Sequence, residues 1–208
     1  MSGASTTVEG RDVPALGVTP TQTVGPFFAP ALLRDPWNVM TTDETAGQRI
    51  RVEGRVTDGA GAPVPDAMIE VWQANAHGRF NHPRDTRSEL PLDPEFTGFG
   101  RSGTDDDGIY WFETVKPGPV PFADGAGDGQ LQAPHLSVTI HARGMLNHAQ
   151  TRLYFEDEAA NATDPILLLV PADRRSTLIA RRSVEEDGVV YRLDIVLQGQ
   201  GETVFLNI

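Results

Sequence analysis

Pro134-His135-Leu136-Ser137-Val138-Thr139-Ile140-His141-Ala142 is the stretch that decides the fold class of this chain. Apolar and polar residues alternate along it, and a period of two is the side-chain period of a β-strand. One face of the predicted strand is apolar, and the other carries His135, Ser137, Thr139 and His141. Two imidazoles on one polar face suggest a metal site, although an ordinary half-exposed strand explains the same pattern.

The spacing of these histidines limits the metal interpretation. His135 and His141 are six residues apart, about 20 Å along an extended strand, so they cannot bind the same ion. Ser137 stands where the second imidazole of a His-x-His pair would be. The remaining candidates are His77 and His82, which lie in a long segment without periodicity, and His148. From the residues alone, the site is incomplete.

Further strands are predicted where β-branched and aromatic residues alternate with polar ones, at 49–56, 67–73, 109–115, 150–155 and 189–197. We expect the first two to form a hairpin with a long loop, and 74–102 to be an excursion over the surface. One helix is predicted at 174–182, capped by Asp173. These elements predict an all-β fold, a mostly antiparallel β-sandwich with long loops and one or two short helices.

Composition restricts the classes of function. The chain has 208 residues, no cysteine and a formal net charge of -12. Disulfides, thiolate metal sites and a cysteine nucleophile are excluded, and the acidic balance argues against binding nucleic acid. No apolar run approaches the ~20 residues of a membrane span, and we expect a cytoplasmic protein. Residues 1–18 are predicted to be a mobile tail, and residues 19–208 a single domain.

The order of several short segments resembles the intradiol ring-cleaving dioxygenases. These are Thr19 to Phe27 (TPTQTVGPF), Gly54-Arg55-Val56, Glu70-Val71-Trp72-Gln73-Ala74, Lys116-Pro117-Gly118, Ala133-Pro134-His135, Arg152-Leu153-Tyr154-Phe155 and Gly199 to Phe205 (GQGETVF). Each segment alone is weak evidence. Their shared order across the chain from about Thr19 is specific for that family.

The resemblance implies a non-haem Fe(III) bound by two tyrosines and two histidines, the histidines as His-x-His on one strand. In this chain, Val120 replaces one family tyrosine, residues 86–90 contain no tyrosine where the other is expected, and Ser137 replaces the second histidine. His135 is therefore interpreted as a relic of a ligand position. An arginine that precedes Pro-Ala-His in catalytic subunits is replaced by Gln132. No catalytic residue or metal ligand is expected on this chain.

The resemblance further implies that the Fe(III) is held by a homologous beta subunit, with this chain forming a heterodimer within a larger oligomer. In the family, an amino-terminal Thr-x-Gly-Pro segment of the non-metal subunit reaches the substrate pocket, which corresponds to Thr23, Gly25 and Pro26. Arg143 is a candidate for holding the carboxylate of an aromatic substrate, and a surface or interface salt bridge is the alternative.

Two other interpretations remain open from the sequence. The chain would be a self-sufficient metalloenzyme if His77, His82, His148 and the acidic loops supplied ligands. It would be a binding module of transthyretin-like shape if the resemblance carried no enzymatic role. The first requires a metal on the isolated chain, and the second requires that no catalytic partner exists.

Overall fold

The structure is a computed structural model that describes residues 6–8, 11–13, 31–33, 37–122 and 129–207. Within the predicted tail, β1 (Thr6–Val8) pairs antiparallel with β2 (Arg11–Val13). The other residues of the tail and its predicted boundary at residue 18 lie outside the described residues. No helix in the described part of the chain has the length and apolar character that crossing a membrane requires.

The described part of the domain is built mainly from strands, which confirms the all-β prediction. Their bounds are β3 (Arg49–Thr57), β4 (Met68–Trp72), β5 (Phe99–Gly103), β6 (Ile109–Val115), β7 (Val120–Pro121), β8 (Leu131–Gln132), β9 (His135–His141), β10 (Ala149–Phe155), β11 (Ile179–Glu185), β12 (Gly188–Arg192) and β13 (Ile195–Val196). Three short 3₁₀ helices span Ala159–Thr163, Leu167–Leu169 and Arg175–Leu178.

One curved sheet contains most of these strands, in the order β5-β4-β9-β10-β11-β12-β3-β6, with β13 continuing beyond β12 along β3. Most pairs are antiparallel, and β10-β11, β12-β3 and β13-β3 are parallel. The end strands β5 and β6 are joined by the Asp105–Gly108 turn, and the Trp111 N–H donates to Ser102 Oγ at 3.2 Å. The sheet is therefore nearly closed into a barrel.

The core lies inside this sheet, where the alternating strands direct their apolar faces. The fully buried side chains include Val56, Ile69, Phe112, Leu136, Ile140, Leu153, Phe155 and Tyr191. A smaller cluster packs outside β10 and contains Ala133, Tyr154, Leu167, Val170 and Leu178. The three tyrosines, at 110, 154 and 191, are all buried.

A close backbone approach joins β3 to the start of β13. A Cβ atom built on Gly54 would lie 1.8 Å from the carbonyl oxygen of Leu193. That oxygen accepts a hydrogen bond from the buried Tyr110 hydroxyl at 2.6 Å. Beside it, the Arg55 N–H donates to Asp194 Oδ1, so a side chain replaces a backbone acceptor there. The predicted strand 189–197 is interrupted at Leu193 and Asp194 for this reason.

Three expectations about the strands are corrected. The helix predicted at 174–182 is wrong: a 3₁₀ turn ends at Leu178 and β11 follows, with Asp173 making no cap, because β11 fills the place between β10 and β12. The predicted hairpin is wrong because β3 uses both edges for other strands, while β4 pairs with β5 and β9. The excursion ends earlier than predicted, at β5.

We expect Gly54→Ala to destabilise the fold by about 3 kcal/mol, because the new methyl group must displace the Leu193 carbonyl from its tyrosine donor. Urea unfolding monitored by circular dichroism measures the free energy of unfolding. Gly61→Ala is the control: Gly61 has a φ of +80° and open space around it, so only about 1 kcal/mol of backbone strain is expected. Equal losses in the two variants would contradict the close-approach explanation.

Candidate functional site

The polar face of β9 is the centre of the candidate site. Pairing places Tyr154 and Arg152 of β10 opposite His135 and Ser137, and Trp72 of β4 opposite Ser137 on its other side. Side chains of directly opposed residues project from the same face of a sheet. The face therefore carries an imidazole, a phenol and a guanidinium side by side where the family resemblance places a metal.

His135 lies where the resemblance implies a metal ligand, and it is only 9% exposed. Its Nδ1 lies 2.7 Å from the carbonyl oxygen of Ala133, which can only accept, so Nδ1 carries the proton. The ring lies 5.6 Å from the Tyr154 ring, measured between centroids. Burial, followed by the charge of Arg152, lowers the pKa of His135 to about 4. The imidazole is therefore neutral near pH 7.

Arg152 brings a permanent positive charge to the same face. One guanidinium nitrogen, Nη1, donates to Gln132 Oε1 at 2.7 Å and to the Tyr154 hydroxyl oxygen at 3.2 Å. The Arg152 side chain is buried, and its Nε has no hydrogen-bond partner among the described residues. Gln132, which stands where catalytic subunits carry an arginine, also donates to the Pro121 carbonyl.

Asp164 supplies the negative charge of the network. Its Oδ1 accepts from the Tyr154 hydroxyl at 3.0 Å, and from the backbone N–H groups of Ile166 and Leu167. Its Oδ2 accepts from the Ala133 N–H at 2.8 Å. Because the tyrosine is buried, its pKa is raised above the ordinary value, and it stays a proton donor. Arg152 and Asp164 are thus opposite charges bridged by one phenol.

The residues at the positions where the resemblance implies iron ligands do not fit a ferric site. Val120 is a buried alkyl side chain paired in register with Gln132, and Ser137 offers no imidazole. Residues 86–90 contain no tyrosine, and their loop is fixed by Arg87, which forms an ion pair with Asp85 and donates to the Gly78 carbonyl. Without phenolate donors, no anionic group among the described residues of the site is free to offset the charge of Fe(III), because Asp164 already accepts four hydrogen bonds.

The far end of the polar face holds a second polar group with a different composition. Glu70 pairs with Arg101 and lies 3.8 Å from His141 Nε2. A shallow cavity of about 240 Å³ opens beside it, lined by Glu70, Val71, Trp72, Phe99, Ser137 and Thr139. His141 and His135 thus serve separate groups at opposite ends of β9, as their spacing predicted.

The other histidines are not brought together. His77, His82 and His148 are all exposed, and His148 stacks near His141 with ring centroids 5.5 Å apart. Within the described ranges, no three His, Cys, Asp or Glu side chains are arranged to hold a metal ion. The ligand set required by a self-sufficient metalloenzyme is absent from that part of the chain.

The predicted substrate-pocket residues are placed only in part. Thr23, Gly25 and Pro26 lie outside the described residues. Arg143 follows β9 on the surface, where its side chain is 59% exposed and its Nη2 lies 2.6 Å from Asp66 Oδ2. The salt bridge that the sequence left open is therefore present in the single chain. Its role toward a substrate remains a prediction.

Sequence reasoning missed the two charged residues of the buried network. Arg152 appeared only as part of a family segment, although an arginine among Thr151, Leu153 and Phe155 is a charge inside an apolar strand. Asp164 precedes Pro165, a common turn signal, and gave no indication of its four hydrogen bonds. Cross-strand register is needed to bring either residue to His135.

Comparison with known proteins agrees with the sequence resemblance and the fold. A profile of the family described as Dioxygenase matches residues 24–199. The fold is also that of 3-chlorocatechol 1,2-dioxygenase from Rhodococcus opacus 1CP, with a TM-score of 0.60 and 20% identity, covering 93% of this chain and 71% of that one. The chain belongs to the intradiol ring-cleaving dioxygenase family, so the resemblance stated from the sequence is confirmed.

Within that family, the chain is similar to both subunits of one enzyme, and more of its length matches the alpha chain. The chain is 43% identical to the protocatechuate 3,4-dioxygenase alpha chain of Burkholderia cepacia, covering 91% of this chain and 97% of that protein. It is 39% identical to the beta chain of the same enzyme, covering 80% of this chain and 71% of that protein. Alpha and beta chains are therefore both homologues of this protein.

Acid is expected to weaken the fold through His135. The folded pKa of about 4 lies below the ordinary value of 6.5, so the unfolded chain binds more protons between these pH values. Stability is therefore full above pH 6.5 and decreases as the pH falls toward 4, by up to about 3 kcal/mol. Urea unfolding at intervals across this range measures the slope.

His135→Asn is the matched variant, since its amide can still donate to the Ala133 carbonyl but does not titrate. We expect this variant to lose most of the pH-dependent stability between pH 6.5 and 4 that the unchanged chain shows. An identical slope in both proteins would place the acid-sensitive group elsewhere.

Proposed function

We propose that this chain is the alpha subunit of a protocatechuate 3,4-dioxygenase and that a beta subunit holds the Fe(III). The heterodimer would open the ring of protocatechuate between its two hydroxyl-bearing carbons. Both atoms of O2 enter the product, 3-carboxy-cis,cis-muconate. The iron of the beta subunit supplies the activation of the catechol, and this chain supplies part of the pocket and the subunit interface.

The observation that carries the proposal is the chemistry at the relic ligand position. Three of the four family donors are missing, and the remaining one, His135, lies beside the buried charge of Arg152. A chain of this family without a ferric site needs a partner that has one. The similarity to an alpha chain over almost its whole length, and to its beta chain as well, supports a partner of that kind.

The contribution of this chain to the pocket is proposed for four residues. Gly25 would allow the backbone to approach the substrate closely, and Pro26 would fix the direction of the chain beside Thr23. Arg143 is exposed enough to face a partner subunit, and a guanidinium can hold a carboxylate through two parallel hydrogen bonds. Asp66 then serves as its counter-ion in the absence of substrate.

The purified chain alone should contain less than about one-tenth of an equivalent of iron, and it should not cleave protocatechuate. Co-expression with a beta chain should give a stable complex with iron and ring-cleaving activity. Iron is measured by mass spectrometry, and product formation by ultraviolet absorbance. Stoichiometric iron and turnover in the isolated chain would overturn the proposal, and failure to co-purify with beta chains would favour the binding-module interpretation.

Gly25→Leu and Arg143→Gln should each raise the KM for protocatechuate in the heterodimer by about ten-fold, because the first adds a side chain where the backbone would approach the substrate and the second removes the guanidinium that would hold its carboxylate. Steady-state kinetics of the assembled complex measure this effect. Arg55→Gln is the matched control, since Arg55 is also exposed and lies on β3, away from the polar face.

The salt-bridge interpretation of Arg143 predicts a different result. If Arg143 serves only to pair with Asp66, then Arg143→Gln and Asp66→Asn will each cost less than about 1 kcal/mol of stability, as exposed pairs do, and the KM will not change. That outcome would remove Arg143 from the proposed pocket without affecting the assignment as an alpha subunit.

A further inference from the structure

We propose that Arg152 takes the electrostatic place of the metal in this subunit and keeps the relic position closed to metal ions. The proposed function requires only that the family donors are lost. The structure indicates more: the position holds a fixed internal cation. Restoring donors alone will therefore not restore metal binding.

The location of the guanidinium is the first argument. Arg152 is directly opposite Ser137 across the β9-β10 pair, and one pair further along, Tyr154 is opposite His135. All four side chains share the polar face, because opposed residues of an antiparallel pair project together. The arginine therefore stands beside both strand positions that a His-x-His pair would use.

The permanence of this charge is the second argument. A buried lysine can lose its proton when a second cation approaches, whereas an arginine cannot. Arg152 is only 8% exposed, so little water screens it from its neighbours. A metal ion bound by His135 would lie next to a positive charge that deprotonation cannot remove.

The hydrogen bonds of Arg152 Nη1 and Asp164 are the third argument. Gln132 and Tyr154 fix Arg152 Nη1, and Tyr154 in turn donates to Asp164. Asp164 already accepts three backbone N–H groups as well. One cation, one anion and a neutral imidazole leave no negative charge to offset an added metal. The carboxylate cannot turn toward a metal without abandoning these donors.

Ser137→His provides the test, because it creates a pair of imidazoles at i and i+2 on one strand face. Three full-length chains are compared: Ser137→His alone, the same with Arg152→Gln, and the same with Arg152→Lys. The probe is Zn²⁺, titrated by calorimetry at pH 7.5 without a partner subunit. We expect Zn²⁺ to bind the glutamine variant at least about ten-fold more tightly than Ser137→His alone.

The lysine variant carries a positive charge that, unlike that of arginine, can be lost when Zn²⁺ binds, so its Zn²⁺ affinity should lie between those of the other two chains. Zn²⁺ affinities within about two-fold for the arginine and glutamine chains would overturn the proposal, as would a lysine variant that binds more weakly than the arginine chain. Adding His135→Asn to the glutamine variant must abolish the gain. If that gain survives, the Zn²⁺ is bound elsewhere, and the proposal fails.

Arg152→Met is a second neutral replacement for the case in which Arg152→Gln does not fold, as judged by its melting temperature. It must give the same tighter binding, and its failure to do so counts against the proposal. The experiment contains no beta chain and no substrate. Its outcome is therefore independent of whether the chain is an alpha subunit of a ring-cleaving enzyme.

Discussion

The buried carboxylate of Asp164 is the constraint on which the candidate site depends. It joins Ala133, two residues before β9, to the hydroxyl of Tyr154 on β10 and to the start of the 3₁₀ helix at Leu167. A carboxylate without solvent must have hydrogen bonds in place of water, and four donors provide them. Tyr154 is thereby oriented, Arg152 rests on Tyr154, and the surroundings of His135 follow from both.

This arrangement changes what the loss of metal ligands means for the subunit. A position that lacked only its metal ligands would be a polar cavity, open to water and to ions from solution. Here that space is filled by side chains whose charges cancel, and His135 is held by a backbone carbonyl. The polar groups around His135 thus form a buried structural cluster.

The strands that alternate strictly were predictable, because their burial is decided by a period of two: 49–56, 109–115 and the stretch around His135 agree closely with β3, β6 and β9. Residues 174–182 were misread because Leu178 and Ile179 suit a helix face equally well. Only the space between β10 and β12 decides that they extend. β5 was missed since Gly100 and Gly103 lack strand propensity; a Cβ on Gly100 would collide with Met40.

The candidate site, like the fold, could be predicted only in part. Missing donors at Val120 and Ser137 could be read directly, since the resemblance fixes each position along the chain. The role of Arg152 could not be predicted, because it depends on contacts between residues that are far apart in the sequence. His135 and Arg152 become neighbours through the register of β9 and β10, which neither strand specifies alone. Hydrogen bonds to Asp164 involve backbone groups, which leave no trace in residue types.

The near closure of the sheet also bears on how such a subunit would meet its partner. Within the described part of the chain, every strand from β4 through β9, β10, β11 and β12 to β3 has a neighbour on both sides, and the two end strands face each other. Unpaired strand edges are the usual templates for aggregation. The nearly closed sheet offers few such edges, so the partner subunit proposed above would be recognised through side chains rather than by an added strand.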